Sequence, residues 1–154
     1  MRLASCLVMA LLTLVVREPA SARADEKLDA TWKALAGSWV VVGNTPNKGI
    51  ELTFGKDKVS MSQGGQSLEM KCELDTSVTP NAIDVMPTGG KKEDNLPMRG
   101  IFKIEGDTLT ICWGVGTFEA GPDGQPKRVA GKRPTEFSSE DAELTRILMT
   151  LNRK

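Results

Sequence analysis

The side chains with which this chain could do chemistry are few. Paired carboxylates can run acid–base catalysis without imidazole, and Asp75, Asp84, Asp107 and Glu136 are available, but their spacing singles out no pair. The sequence holds no histidine and no tyrosine. A Ser-His-Asp or Cys-His relay therefore cannot form, and zinc or haem sites that need imidazole are excluded. Gly64-Gly65 and Gly89-Gly90 are turn material with no helix to follow, so neither reads as a phosphate loop. A C-x-x-C pair is also missing. The expectation is a protein that is not an enzyme and carries neither metal nor cofactor. Cys72 and Cys112 lie in strand-like apolar runs, as small buried hydrophobes or, in an oxidising compartment, as a disulfide. Strand parity turns the two to opposite faces, which disfavours the bridge.

The compartment is read from the N-terminus. Met1-Arg2, apolar residues 3–16 and Ala22-Arg23-Ala24 match the basic, apolar and small-x-small parts of a secretory signal. Residues 1–24 are thus expected to be a cleaved signal peptide, and residues 25–154 a single secreted domain, extracellular or periplasmic. The apolar run stops at Arg17-Glu18-Pro19, after about 14 residues where a membrane anchor needs about 18. Cys6 precedes most of that run, whereas a lipidated cysteine follows it. No membrane insertion is expected after signal removal. The chain has 20 Lys+Arg and 20 Asp+Glu; losing Arg2, Arg17, Arg23 and Glu18 leaves 17 against 19, a net charge of −2. Such a surface lacks the basic field that nucleic acid would require of a partner.

Leu28, Trp32 and Leu35 recur at i, i+4 and i+7 behind Asp25 and Glu26, and Gly37 closes the pattern, predicting a helix of one and a half to three turns. From Trp39 onward the period is two. Strands are expected near residues 39–43, 50–54, 58–62, 68–74, 82–86, 101–104, 109–113 and 144–152, separated by turn formers such as Gly55-Lys56-Asp57 and Gln63-Gly64-Gly65-Gln66. About eight strands roughly ten residues apart predict an all-β, antiparallel, up-and-down barrel with a short N-terminal helix, because closure removes exposed sheet edges. The longer connections, residues 87–97 and 114–133, are expected as loops at a barrel mouth.

Gly37-Ser38-Trp39 after a short helix resembles the Gly-x-Trp opening of lipocalin and calycin barrels. Leu74-Asp75, Pro80-Asn81-Ala82-Ile83-Asp84, residues 100–112 and Arg133-Pro134-Thr135-Glu136-Phe137 then follow in order. That succession is similar to the lipocalin-like extracellular domain expanded in planctomycete bacteria, over nearly all of residues 25–154. The chain departs from it in a short connection between Trp39 and Ile50 and a long stretch at residues 114–132. The resemblance implies a secreted barrel of unassigned activity, with ligand binding inside the barrel by analogy alone. It also implies that Trp39 covers the closed end of the barrel, with Arg153 over its indole face. The Arg-x-Tyr carboxylate clamp of intracellular fatty-acid-binding barrels is absent, since there is no tyrosine.

Asp84 interrupts Ile83, Val85 and Met86, and either points outward or caps a buried network. Pro134 biases Arg133 to extended geometry, Phe137 is expected to plug the core, and Arg133 with Glu136 is either structural or a ligand clamp. Parity predicts an inward set of Leu52, Phe54, Val59, Met61, Leu68, Met70, Cys72, Ile83, Val85, Phe102, Ile104, Leu109 and Ile111. Within it, Leu52, Phe54, Met61, Met70, Cys72, Ile83, Phe102 and Ile111 are the candidate ligand lining, and the sulfur atoms suit an apolar guest. The same side chains can also simply fill a small barrel. Two functions stay open: a carrier of a small apolar ligand, or a secreted or cell-envelope module with a solid core whose loops meet a protein partner of unknown identity. A reachable apolar cavity of about 300 Å³ or more would favour the first.

Overall fold

The structure is a computed structural model, and it describes residues 20–43, 46–89, 95–121, 124–139 and 146–154. Most of the expected signal segment, residues 1–19 with Cys6, lies outside the described residues, as do residues 144–145 of the expected last strand.

The helix α1 (Ala20–Leu35) is longer than its apolar spacing predicts and runs through Ala22-Arg23-Ala24. Alanines at 20, 22 and 24 favour helix without needing a packing partner, and residues 21–27 are exposed accordingly. Docking begins further along, through half-buried Leu28 and Trp32 and buried Leu35. Lys27 Nζ also donates to the Thr76 carbonyl, tying the helix to a turn of the barrel.

Ten strands follow: β1 (Gly37–Val42), β2 (Glu51–Gly55), β3 (Lys58–Gln63), β4 (Gln66–Asp75), β5 (Asn81–Pro87), β6 (Met98–Glu105), β7 (Thr108–Gly114), β8 (Thr117–Ala120), β9 (Pro126–Val129) and β10 (Arg146–Arg153). Eight of them close an antiparallel barrel in the order β1-β10-β7-β6-β5-β4-β3-β2. This is the all-β up-and-down architecture that the alternation predicts. The up-and-down course sets α1, the C-terminus and the β2–β3, β4–β5 and β6–β7 turns at one end. The β1–β2, β3–β4, β5–β6 and β7–β10 connections lie at the other.

Three expectations are corrected by the coordinates. The connection at residues 114–133 is not merely a loop, since β8 and β9 pair within it as a separate hairpin. Leu68 has inward parity but is 42% exposed, because it sits beside the β3–β4 turn, where the wall ends before the core begins. Phe137 does not plug the core; it lies outside the wall, with Lys103 Nζ 5.6 Å from its ring centroid.

The last correction has a physical cause in the register. Ala82 pairs with Ile101 and Ile101 with Cys112, forming an apolar row on the outer face that is nevertheless buried. Residues 131–139 cover that row. Cys112 Sγ donates to the Ser138 carbonyl at 3.5 Å, and Pro134 is buried. Gly114 permits the crossing, because a Cβ there would stand 1.8 Å from the Lys132 carbonyl oxygen.

Candidate functional site

The two ends of the barrel are built differently. At the end nearest α1, the last helical carbonyls have no partners within the helix and must find donors elsewhere. Trp39 Nε1 donates to Leu35 O at 2.8 Å, while Arg153 donates from Nη1 to Ala36 O at 3.0 Å and from Nη2 to Ala34 O at 2.6 Å. The Arg153 guanidinium also lies 4.2 Å from the centroid of the Trp39 ring, which is fully buried. A cation at a helix C-terminus is favoured by the helix dipole, and stacked on indole it gains a cation–π contact. Trp39 and Arg153 therefore seal this end, above a tightly filled half containing Val41, Cys72, Ile83, Phe102, Leu109, Ile111 and Leu151.

The opposite half is incompletely filled. A cavity of about 110 Å³ is lined by Asn47, Ile50, Leu52, Phe54, Val59, Met61, Met70, Val85, Met98, Trp113, Ile147 and Met149. Half-buried Asn47, Met61, Met98 and Ile147 form its mouth, and the buried Leu52, Phe54, Val59, Met70, Val85, Trp113 and Met149 its floor. Register explains the assembly: Gly100 pairs with Trp113, Trp113 with Ile147, and Leu52 with Met61. Gly100 is needed there because a Cβ would meet Trp113 Cε3 at 2.6 Å, so the glycine leaves room for the indole.

Of the candidate lining, Leu52, Phe54, Met61 and Met70 reach this cavity. Cys72, Ile83, Phe102 and Ile111 do not line it; they point inward but belong to the filled half. Sequence reasoning missed Asn47, Ile50, Met98, Trp113, Ile147 and Met149. Parity from Ile111 would have found Trp113, whereas the depth of each side chain along the barrel had no signal.

The remaining candidates are engaged elsewhere. Asp84 faces outward and meets Arg133 Nη2 at 2.8 and 2.9 Å. Arg133 Nη1 donates to Gly100 O at 2.7 Å, so this arginine pins residues 131–139 to the wall. Glu136 has a different partner, its carboxylate lying 3.5 Å from Arg146, so Arg133 and Glu136 are each engaged with separate protein groups. Asp107 Oδ1 lies 3.5 Å from Arg153 Nε. Asp75 accepts from the Ser77 amide and hydroxyl, and these bonds hold its carboxyl below the usual range. Cys72 and Cys112 are unbridged, one inside the wall and one outside. Burial pushes the Cys72 thiol up to about 12, with the charges of Asp84, Asp57 and Glu73 adding to it, and burial raises Cys112 as well. Among the described residues, no group of three or more His, Cys, Asp or Glu is placed to hold a metal, and no helix is long and apolar enough to cross a membrane.

No protein-family model, curated protein or solved structure matches this chain.

Proposed function

We propose that this chain is a secreted, non-enzymatic lipocalin-like barrel that carries one small apolar molecule in the open half of its interior. The observation that carries the reading is the asymmetry of filling: one half is packed solid and capped, while the other keeps an apolar cavity open at its mouth. Apolar pockets with one or two polar groups at the rim are the usual form of a small-molecule site. At about 110 Å³ the cavity does not reach the roughly 300 Å³ that would by itself favour a carrier, so the reading rests on the asymmetry and not on size. The volume is closer to the roughly 150 Å³ cavity that admits benzene. The guest is therefore small, and long acyl chains are excluded unless they trail out of the mouth. Secretion rests on the basic, apolar and small-x-small pattern of residues 1–24, and kinship with the planctomycete extracellular domain on the succession of motifs from Leu74 to Phe137.

Incubating the protein with a lipid extract and with a panel of small apolar compounds, then weighing the complex by native mass spectrometry, tests the proposal. One guest per chain, lost in Val85→Trp, which fills the floor, is the expected result. Absence of any saturable guest would sink it. A second reading is favoured by one feature: Phe118, 71% exposed, stands on the isolated β8–β9 hairpin. If a protein partner is captured instead and is lost on Phe118→Ser, the barrel is an interaction module.

A further inference from the structure

The described residues include five methionines, and four of them, Met61, Met70, Met98 and Met149, line this cavity inside the barrel. The filled half of the barrel is instead closed mainly by branched aliphatic side chains and contains none. Close packing alone does not require this segregation, since leucine and isoleucine have well-defined rotamers and fill barrel interiors readily. Thioethers differ from aliphatic groups in being polarizable and unbranched, and sulfur is drawn to the edges and faces of aromatic rings. The floor adds two rings of its own, Phe54 and Trp113, and Gly100 holds the space into which the indole lies. Aromatic rings prefer offset or edge-to-face neighbours of this kind. At the mouth, Asn47 is the one polar residue of the lining, and its side-chain amide is of a type that can both donate and accept.

Resting on the reading that the cavity holds a guest, we infer that its ligand class is the single aromatic ring bearing one hydrogen-bonding substituent. A phenol or a small aromatic alcohol has this chemistry. The ring enters among the methionine sulfurs and above Trp113, and the substituent stays at the mouth beside Asn47. At about 110 Å³ the cavity is smaller than the roughly 150 Å³ that takes benzene, so a substituted ring requires it to widen. Flexible methionines at the mouth can yield the difference by changing rotamer.

The full-length protein is titrated with p-cresol, toluene and hexan-1-ol, following tryptophan emission and NMR shifts of the methionine methyl groups. Binding of p-cresol about tenfold tighter than hexan-1-ol is expected, as a few sulfur and ring contacts would produce. Met70→Leu with Met149→Leu conserves volume and should weaken p-cresol about three- to tenfold while moving hexan-1-ol less than about twofold. Asn47→Ala should weaken p-cresol and leave toluene unchanged. Equal or tighter binding of hexan-1-ol overturns the inference and leaves the guest-carrying reading standing. No binding of any of the three probes, with no guest taken from the lipid extract, overturns both. The comparison of probes on the unaltered protein decides the matter even if a variant folds poorly.

Discussion

Arg153 shows how much one residue can join. Its guanidinium reaches two carbonyls at the end of α1 and stacks on the ring of Trp39, which itself donates to a third carbonyl between them. Arg153→Leu removes two charge-assisted hydrogen bonds from exposed carbonyls at the end of α1 and the guanidinium–indole contact, and is expected to lower unfolding free energy by about 1–2 kcal/mol in urea titration. Arg153→Lys should recover little of it, because an ammonium lacks the planar fork that spans both acceptors while stacking. Cys72 makes a pH-dependent prediction. Its thiol is raised in the folded state, so folding keeps a proton that the unfolded chain gives up at lower pH. The contribution is fully present below the unfolded value and is lost as pH rises from there towards about 12. Stability should therefore fall across that alkaline window, and Cys72→Ala should flatten the fall in chemical-denaturation curves.

Residues 131–139 act as an element without being a helix or strand. They lie on the outer wall because β5, β6 and β7 present Ala82, Ile101 and Cys112 in one apolar row. They are fixed by Arg133, which bridges Asp84 and the Gly100 carbonyl, and by the close approach of Gly114 to Lys132. Weakening the pin should therefore expose the thiol beneath. Arg133→Gln is expected to raise the rate of Cys112 alkylation by maleimide several-fold while Cys72, inside the wall, stays unreactive; peptide mapping by mass spectrometry separates the two sites. Labelling of Cys112 unchanged by Arg133→Gln would mean that the segment is held by packing alone.

The two halves of the whole barrel should respond differently to truncation. Leu151 is fully buried in the filled half, where the surroundings cannot relax, and Leu151→Ala should cost about 2–5 kcal/mol. Met61 stands half-buried at the mouth of a space that is already open, so Met61→Ala should cost less than about 1 kcal/mol. Thermal or urea unfolding of the pair checks the contrast, and comparable losses would mean that the open half is also packed solid.

Period-two alternation from Trp39 to Trp113, broken by hairpin turns, determined the barrel, because side chains on a strand alternate faces and a closed sheet is the stable way to bury one of them. The same pattern determined the inward parity of Leu52, Phe54, Met61 and Met70. It carried no information about depth, since parity says which side of the wall a residue faces but not how far along the barrel it lies; Leu68 and Ile111 therefore fell outside the cavity, and Trp113 and Met149 inside it. Nor could it place residues 131–139, whose position depends on an outer apolar row assembled from three strands distant in sequence. Local chemistry fixed the strands and their faces. Only the register between strands, set by closure of the whole sheet, decided where the interior was left open and which part of the outside had to be covered.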